Sequence, residues 1–252
     1  MIKIRRFTLI FLIFFIAVGC THKTPYTNRS QMIFMSQKEE LALGEKSYEK
    51  VLKEEDVIKN SKNTKLINEI GTKIAKVANK PDFNWEFNLV KNDDINAFCL
   101  PGGKVVVYTG ILKIAKNEDQ IATVISHEIA HALARHGAER VSSAMVQQGV
   151  QAVGNLVLQA TAPEYSNIFN QAYGVGTNLA VMLPYSRLHE SEADEIGIHL
   201  MAKAGYDLDE AVKFWENMNK NSKESIEFLS THPSNKTRIN DLIKLIKKIK
   251  KT

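Results

Sequence analysis

The sequence predicts an α+β domain that is mainly helical and carries a small antiparallel sheet. Helical periodicity marks Ser36–Val51, Lys65–Asn79 and everything after Gly110, while short alternating runs surround a Pro-Gly-Gly turn in the middle of the chain. The 252 residues are 44% hydrophobic and 24% charged, which is typical of a globular protein. This composition excludes a disordered or collagen-like chain.

The net charge of +5 does not indicate a nucleic-acid partner. Three basic residues and no acidic one lie in the first 19 positions, so the chain without them carries +2. With only two cysteines, Cys20 and Cys99, a disulfide framework is impossible.

Residues 1–19 are predicted to be a lipoprotein signal peptide. A basic start precedes an apolar run from Phe7 to Val18. The alternative is a membrane span, but the run is about a dozen residues long and a span needs roughly 20. The sequence Ala-Val-Gly-Cys ending at Cys20 resembles the lipobox of bacterial lipoproteins. That resemblance implies lipidation of Cys20 and a tether over residues 20–35. Because Thr21 rather than Asp follows the cysteine, it also implies a periplasmic protein anchored to the inner leaflet of the outer membrane.

Two helices and three strands are predicted next. The first helix covers Ser36–Val51, with Ser36 and Glu39 as a capping box, and the second covers Lys65–Asn79. An alternating strand follows at residues 85–89, and two further strands flank Pro-Gly-Gly, the second being Lys104–Tyr108.

Residues 141 to 182 carry almost no charge and no strong period. They are predicted to form either a buried helical pair or a lid that faces the substrate or a membrane.

The chemistry is predicted to lie in the long apolar helix between Glu118 and Gly137, which contains His127-Glu128-Ile129-Ala130-His131. On a helix the two histidines stand at i and i+4, so they share one face and could bind one Zn²⁺. Glu128 lies beside them, within reach of a water on that metal.

A third protein ligand is expected at the start of the helix that opens near Ser186. Glu190 and Asp194 share a face there, so one could bind the metal while the other orients a ligand histidine. Spacing alone leaves Glu192 and His189 as alternative ligands.

Four motifs together resemble the zinc endopeptidases of peptidase family M48, over about Ser36 to Ile246. They are His-Glu-x-x-His at 127–131, Ser-Arg-x-x-Glu-x-x-Ala-Asp at 186–194, Asn-Ala-Phe with Pro-Gly-Gly at 96–103, and His-Pro with Arg-Ile at 232–239. The resemblance implies a zincin-like metallopeptidase domain over residues 36–252. It further implies one Zn²⁺ per chain, bound by His127, His131 and Glu190, with Asp194 as an orienting carboxylate and Glu128 as general base.

The same resemblance implies functions for two further regions. The strand Asn96-Ala97-Phe98 would accept a substrate peptide by β-augmentation, although an ordinary core strand is the alternative. His232 could approach the metal or the developing oxyanion, and Arg238 could hold a carboxylate or polarise the scissile carbonyl. Outside the family pattern, His232 would be a surface-loop residue.

The sequence thus predicts a zinc-dependent endopeptidase that acts on misfolded or unassembled cell-envelope proteins. The alternative is a noncatalytic, chaperone-like lipoprotein that holds such proteins through the same strand. A glutamate beside the histidines, with no cysteine ligand nearby, favours catalysis over a structural zinc site.

Overall fold

The computed structural model describes residues 21–161, 186–221, 228, 232 and 236–251. Helices predominate among them and the sheets are small, so the predicted mainly helical α+β class is confirmed. The described residues divide into two compact units, one of residues 21–36 and 138–161 and one of 37–137 and 186–251. The elements in chain order are β1 (Thr21–Lys23), β2 (Ser30–Met32), α1 (Gln37–Glu54), β3 (Val57–Ile58), α2 (Lys62–Ala78), β4 (Glu86–Val90), β5 (Ala97–Leu100), β6 (Lys104–Tyr108), α3 (Ile111–Ile114), α4 (Glu118–Leu133), α5 (His136–Thr161), α6 (Arg187–Ala204), α7 (Asp209–Asn221) and α8 (Lys236–Ile249).

In the first unit, β1 and β2 form an antiparallel hairpin where the sequence predicted a tether. Thr24 is buried, and its hydroxyl accepts a hydrogen bond from the backbone N–H of Arg29 at 3.1 Å. The Arg29 guanidinium binds Glu139 of α5 through two contacts of 2.7 and 2.6 Å. These polar contacts order a segment whose composition alone is typical of a linker.

The weakly charged segment begins within α5, which is helical to Thr161. Met145 and Val153 are exposed on it, at 51% and 64%. The rest of that segment, the signal peptide and Cys20 lie outside the described residues. In the described part of the chain, no helix combines the length and hydrophobicity that a membrane span requires.

The second unit contains a four-stranded sheet in the order β3-β4-β6-β5. The β5–β6 hairpin is antiparallel, and its turn uses Gly102 and Gly103 at φ of 88° and 86°, which favour glycine. β3 pairs with β4 in the same antiparallel sense, whereas β4 and β6 run parallel. The order leaves β5 as an edge strand.

Helix α4 is the centre of the second unit, because it packs against α2, α6, α7 and β5. It is buried almost throughout, and Asn117 caps its first turn by accepting from the N–H of Gln120. Against it, α6 approaches closely at Gly197, where a Cβ would lie 3.3 Å from the backbone N of His127. The helix ends at Leu133 rather than at the predicted Gly137, because Arg135 turns the chain with φ of 54°.

Candidate metal centre

The two histidines of α4 face the same buried space. His127 and His131 are each 2% exposed, and their Nε2 atoms lie 3.1 Å apart. This proximity follows from their i, i+4 spacing on one helix.

Glu190 joins them from the first turn of α6. Ser186 caps this helix by accepting a hydrogen bond from the N–H of His189. The two carboxylate oxygens of Glu190 lie 3.4 Å from His127 Nε2 and 3.3 Å from His131 Nε2. Tetrahedral ligands bound at about 2.0–2.1 Å from zinc stand roughly 3.3 Å from one another. The three side chains therefore have the donor chemistry and the spacing for one such ion.

His232 adds a fourth donor to this cluster. Its Nδ1 lies 3.1 Å from Glu190 Oε1, and candidate ligand atoms of His127, His131, Glu190 and His232 all lie within 4.8 Å of one another. The residue is 2% exposed, so the structure does not place it in a surface loop.

Asp194 and Arg238 support the cluster from behind. Asp194 Oδ1 lies 3.1 Å from His127 Nδ1, within reach of the ring that the family resemblance implies it orients. The guanidinium of Arg238 contacts Asp194 at 2.7 and 2.8 Å and Glu190 at 2.8 Å. Since all three guanidinium nitrogens face these carboxylates, the geometry favours the carboxylate-holding alternative for Arg238. Its planar group also lies 4.2 Å from the ring centroid of Trp215.

The ionisation of these groups suits a metal site. Burial raises the pKa of Glu190, but hydrogen bonds with His127, His131 and His232 outweigh burial and hold that pKa well below its usual range. Burial likewise raises the pKa of Asp194, and the charge of Arg238 more than offsets it. Both carboxylates are therefore ionised. Burial lowers the pKa of His131 well below its usual value, which keeps that ring neutral.

His127 differs because two acids contact it. Burial lowers its pKa, but hydrogen bonds with Asp194 and Glu190 outweigh burial and raise the pKa to about 9. A cation is therefore stabilised at this position, and a bound metal would replace the proton.

Glu128 lies next to the cluster and is 1% exposed. Its Oε1 has no hydrogen-bond partner among the described residues, and the nearest histidine nitrogen, Nε2 of His232, is 3.6 Å away. Burial is the main reason that the pKa of Glu128 is raised, and the backbone N–H of Cys99 opposes that rise. A buried carboxylate with one unsatisfied oxygen is suited to accept a proton from water.

The strand predicted to bind substrate, β5, is an edge strand of the four-stranded sheet. Tyr108 donates its N–H to the carbonyl of Asn96 at 3.0 Å, so this antiparallel pair is hydrogen-bonded. Alternation then directs the backbone groups of Ala97 and Cys99 away from β6, towards the edge. Phe98 packs edge-on against Tyr108, with ring centroids 6.1 Å apart.

Sequence reasoning missed His136, which begins α5. Its Nδ1 lies 2.9 Å from His131 Nδ1, and its Nε2 lies 2.9 Å from Glu192 Oε2. His189 stacks on its ring at 4.4 Å. Glu192 and His189, the alternative ligands, thus meet His136 instead of joining the donor cluster. The sequence feature that could have indicated this contact is a third histidine five positions after His131.

Two histidines and a glutamate with this spacing, beside a buried carboxylate that has one unsatisfied oxygen, are the groups that a metallopeptidase centre requires. The chain belongs to peptidase family M48, whose family model matches residues 61–246. The M48 resemblance is thereby confirmed, and with it the class of metal-dependent peptidases.

Three relatives illustrate the similarity. The mitochondrial metalloendopeptidase OMA1 of Schizosaccharomyces pombe is 34% identical over 221 residues, which cover 85% of this chain and 63% of that protein. Its counterpart in Saccharomyces cerevisiae is 34% identical over 247 residues, or 90% and 69% of the two chains. The beta-barrel assembly-enhancing protease of Escherichia coli is 31% identical over 184 residues, covering 71% of this chain and 38% of that protein. The chain thus spans less than two thirds of two of these relatives.

Proposed function

We propose that the protein is a zinc-dependent endopeptidase that cleaves misfolded or unassembled cell-envelope proteins. One observation carries the proposal: His127, His131 and Glu190 present donor atoms 3.1 to 3.4 Å apart, with the buried carboxylate of Glu128 adjacent. A single Zn²⁺ per chain fits that donor set.

Each group of the site has a distinct task. When bound, Zn²⁺ would acidify a water and polarise the scissile carbonyl. Glu128 would accept a proton as the water attacks the scissile carbonyl carbon, and it would return that proton to the amine released when the C–N bond breaks. Asp194 orients His127, and Arg238 holds both Asp194 and Glu190 in place.

Substrate would bind as an added strand on β5. The edge presents the backbone groups of Ala97 and the carbonyl of Cys99, whereas the N–H of Cys99 already donates to Glu128. Asn96 and Phe98 fix the strand against β6. Main-chain pairing requires no particular substrate side chain, which suits an enzyme for unfolded polypeptides. The Escherichia coli relative is named for enhancing β-barrel assembly, and β-barrel proteins are therefore the substrate class that we propose to test first.

The proposed site of action is the periplasm. Residues 1–19 would be removed, and lipidated Cys20 would anchor the domain of residues 36–252 to the inner leaflet of the outer membrane. Labelled palmitate should enter the wild-type protein and should not enter Cys20→Ala. Wild-type protein that takes up no label would contradict the anchor.

Cleavage of casein and of an unfolded outer-membrane protein tests the catalytic proposal. Glu128→Gln preserves the shape of the side chain but cannot accept a proton, so it should retain zinc while losing several orders of magnitude in rate. Glu195→Gln, the same change on the partly exposed side of α6, is the matched control and should cleave normally. Zinc content is measured in all three proteins.

A noncatalytic holding protein gives a different result. Wild type and Glu128→Gln would then suppress aggregation of the unfolded substrate equally, and neither would cleave it. Residual cleavage by Glu128→Gln within about tenfold of wild type would instead identify another base.

A further inference from the structure

We propose that His136 and Glu192 are positioning residues that act through His131. They fix the ring of this metal ligand, assign its tautomer, and strengthen metal binding with the negative charge of Glu192. The inference rests on the metal site proposed above and adds two residues to it.

The three groups form an unbroken chain in the interior of the second unit. His131 Nδ1 lies 2.9 Å from His136 Nδ1, and His136 Nε2 lies 2.9 Å from Glu192 Oε2. His136 is fully buried, and Glu192 is only 4% exposed. Burial lowers the local dielectric, which makes such hydrogen bonds electrostatically stronger than they are in water.

One arrangement of protons satisfies the whole chain. A metal-ligating histidine is neutral, and His131 directs its Nε2 at the donor cluster, so its proton must sit on Nδ1. That N–H donates to His136 Nδ1, which leaves the proton of His136 on Nε2. The Nε2–H then donates to the carboxylate of Glu192, an acceptor only.

The two metal-ligand histidines are thus supported in parallel ways. His127 has a carboxylate directly behind it, because Asp194 Oδ1 lies 3.1 Å from its Nδ1. For His131 the corresponding carboxylate is that of Glu192, and the imidazole ring of His136 lies between the two. A carboxylate behind a ligand histidine increases the basicity of the nitrogen that binds the metal.

The position of Glu192 on α6 supports this assignment. Glu190 and Asp194 share the helix face that meets the histidines of α4, whereas Glu192 lies two positions from each and so points in another direction. Burying a carboxylate there costs free energy unless it is hydrogen-bonded. The imidazole of His136 provides a hydrogen bond to this carboxylate. The His189 ring stacks on that imidazole, with ring centroids 4.4 Å apart and ring planes 23° from parallel, and this contact restricts its orientation.

The test compares zinc affinity in the full-length protein, measured by competition with a chelator. Glu192→Gln retains a hydrogen-bond acceptor but removes the charge, so zinc should bind about 10- to 100-fold more weakly. His136→Asn shortens the side chain, breaks the link to Glu192 and should weaken zinc by a similar factor. Glu195→Gln removes a charge from the same helix outside the chain of hydrogen bonds and should bind zinc like wild type.

Two further readouts separate positioning from mere stability. The thermal midpoint of metal-free Glu192→Gln should not fall, and its Co²⁺-loaded form should show a shifted visible absorption spectrum, because the ligand field of His131 changes. A loss of zinc affinity accompanied by a lower metal-free midpoint would indicate a structural function and overturn the proposal. So would a zinc affinity of Glu192→Gln within about twofold of wild type, or an equal loss in Glu195→Gln.

The outcome also distinguishes this inference from the proposed function. Wild-type protein that binds no zinc contradicts the proposed metal site itself. Wild-type binding that Glu192→Gln matches contradicts only the action of His136 and Glu192.

Discussion

Replacing Arg238 with Gln should destabilise the second unit strongly. The guanidinium contacts Asp194 at 2.7 and 2.8 Å and Glu190 at 2.8 Å, and Arg238 is 4% exposed. Its removal leaves two ionised carboxylates in the interior without their cation.

The loss of stability should be several kcal/mol, because the two carboxylates stay buried. Breaking a buried ion pair by removing one partner costs about 3–5 kcal/mol, because the remaining charge stays desolvated. In a domain of this size each kcal/mol lost from the free energy of unfolding lowers the thermal midpoint by about 2–4 °C. We therefore expect the midpoint of Arg238→Gln to fall by about 6–20 °C. Bound zinc would bring positive charge close to Glu190. The loss of unfolding free energy in the zinc-loaded protein should therefore lie near the lower end of the range of about 3–5 kcal/mol.

Urea unfolding followed by circular dichroism measures this loss with and without zinc. Arg238→Lys keeps the charge but loses the planar fork, so it should fall between wild type and Arg238→Gln. Lys244→Gln, on the exposed side of the same helix, should leave the free energy of unfolding nearly unchanged. If Arg238→Gln lowers the free energy of unfolding by less than about 1 kcal/mol, the inference that Arg238 stabilises both buried carboxylates is refuted.

Three further predictions concern the active site. His232→Ala should retain zinc and slow cleavage by about a hundredfold if His232 stabilises the oxyanion; faster cleavage would identify it as a competing fourth ligand, and an unchanged rate would exclude both functions. Because burial raises the pKa of Glu128, kcat/KM should fall with decreasing pH through an apparent pKa above the ordinary glutamate value of about 4.3, and a limb at or below that value would contradict Glu128 as the base. Chelation should abolish cleavage and lower the thermal midpoint by about 5–10 °C relative to protein with zinc at a hundredfold excess over its Kd, since such binding stabilises by about 2.7 kcal/mol. A midpoint that chelation does not change would argue against a site that closes around the ion.

Local patterns explain why much of the fold could be predicted from the sequence. The turn at Gly102 and Gly103 joins adjacent strands, so β5 and β6 follow from neighbouring residues. The parallel pairing of β4 with β6 joins strands separated by β5, and no local signal specifies it. The hairpin of residues 21–32 depends on the buried hydroxyl of Thr24, which in sequence has the appearance of a linker residue.

The site shows the same division. His127 and His131 could be placed together because one helix fixes their spacing. His136 could not, since positions i and i+5 of a continuous helix point in different directions. Only the break at Arg135, with φ of 54°, brings the rings of His131 and His136 to 4.9 Å.

The dependence of the metal centre on α8 has a consequence for the order of folding. Asp194 and Arg238 are 44 positions apart, and α4 with its two histidines precedes both in the chain. Contacts between distant segments require the closure of long loops, and this closure costs entropy before any contact offsets it. A nascent chain in which α8 has not yet docked therefore has the histidine pair of α4 without the guanidinium that contacts both carboxylates. Such a chain lacks the complete centre, so we expect hydrolytic activity only after α8 has docked.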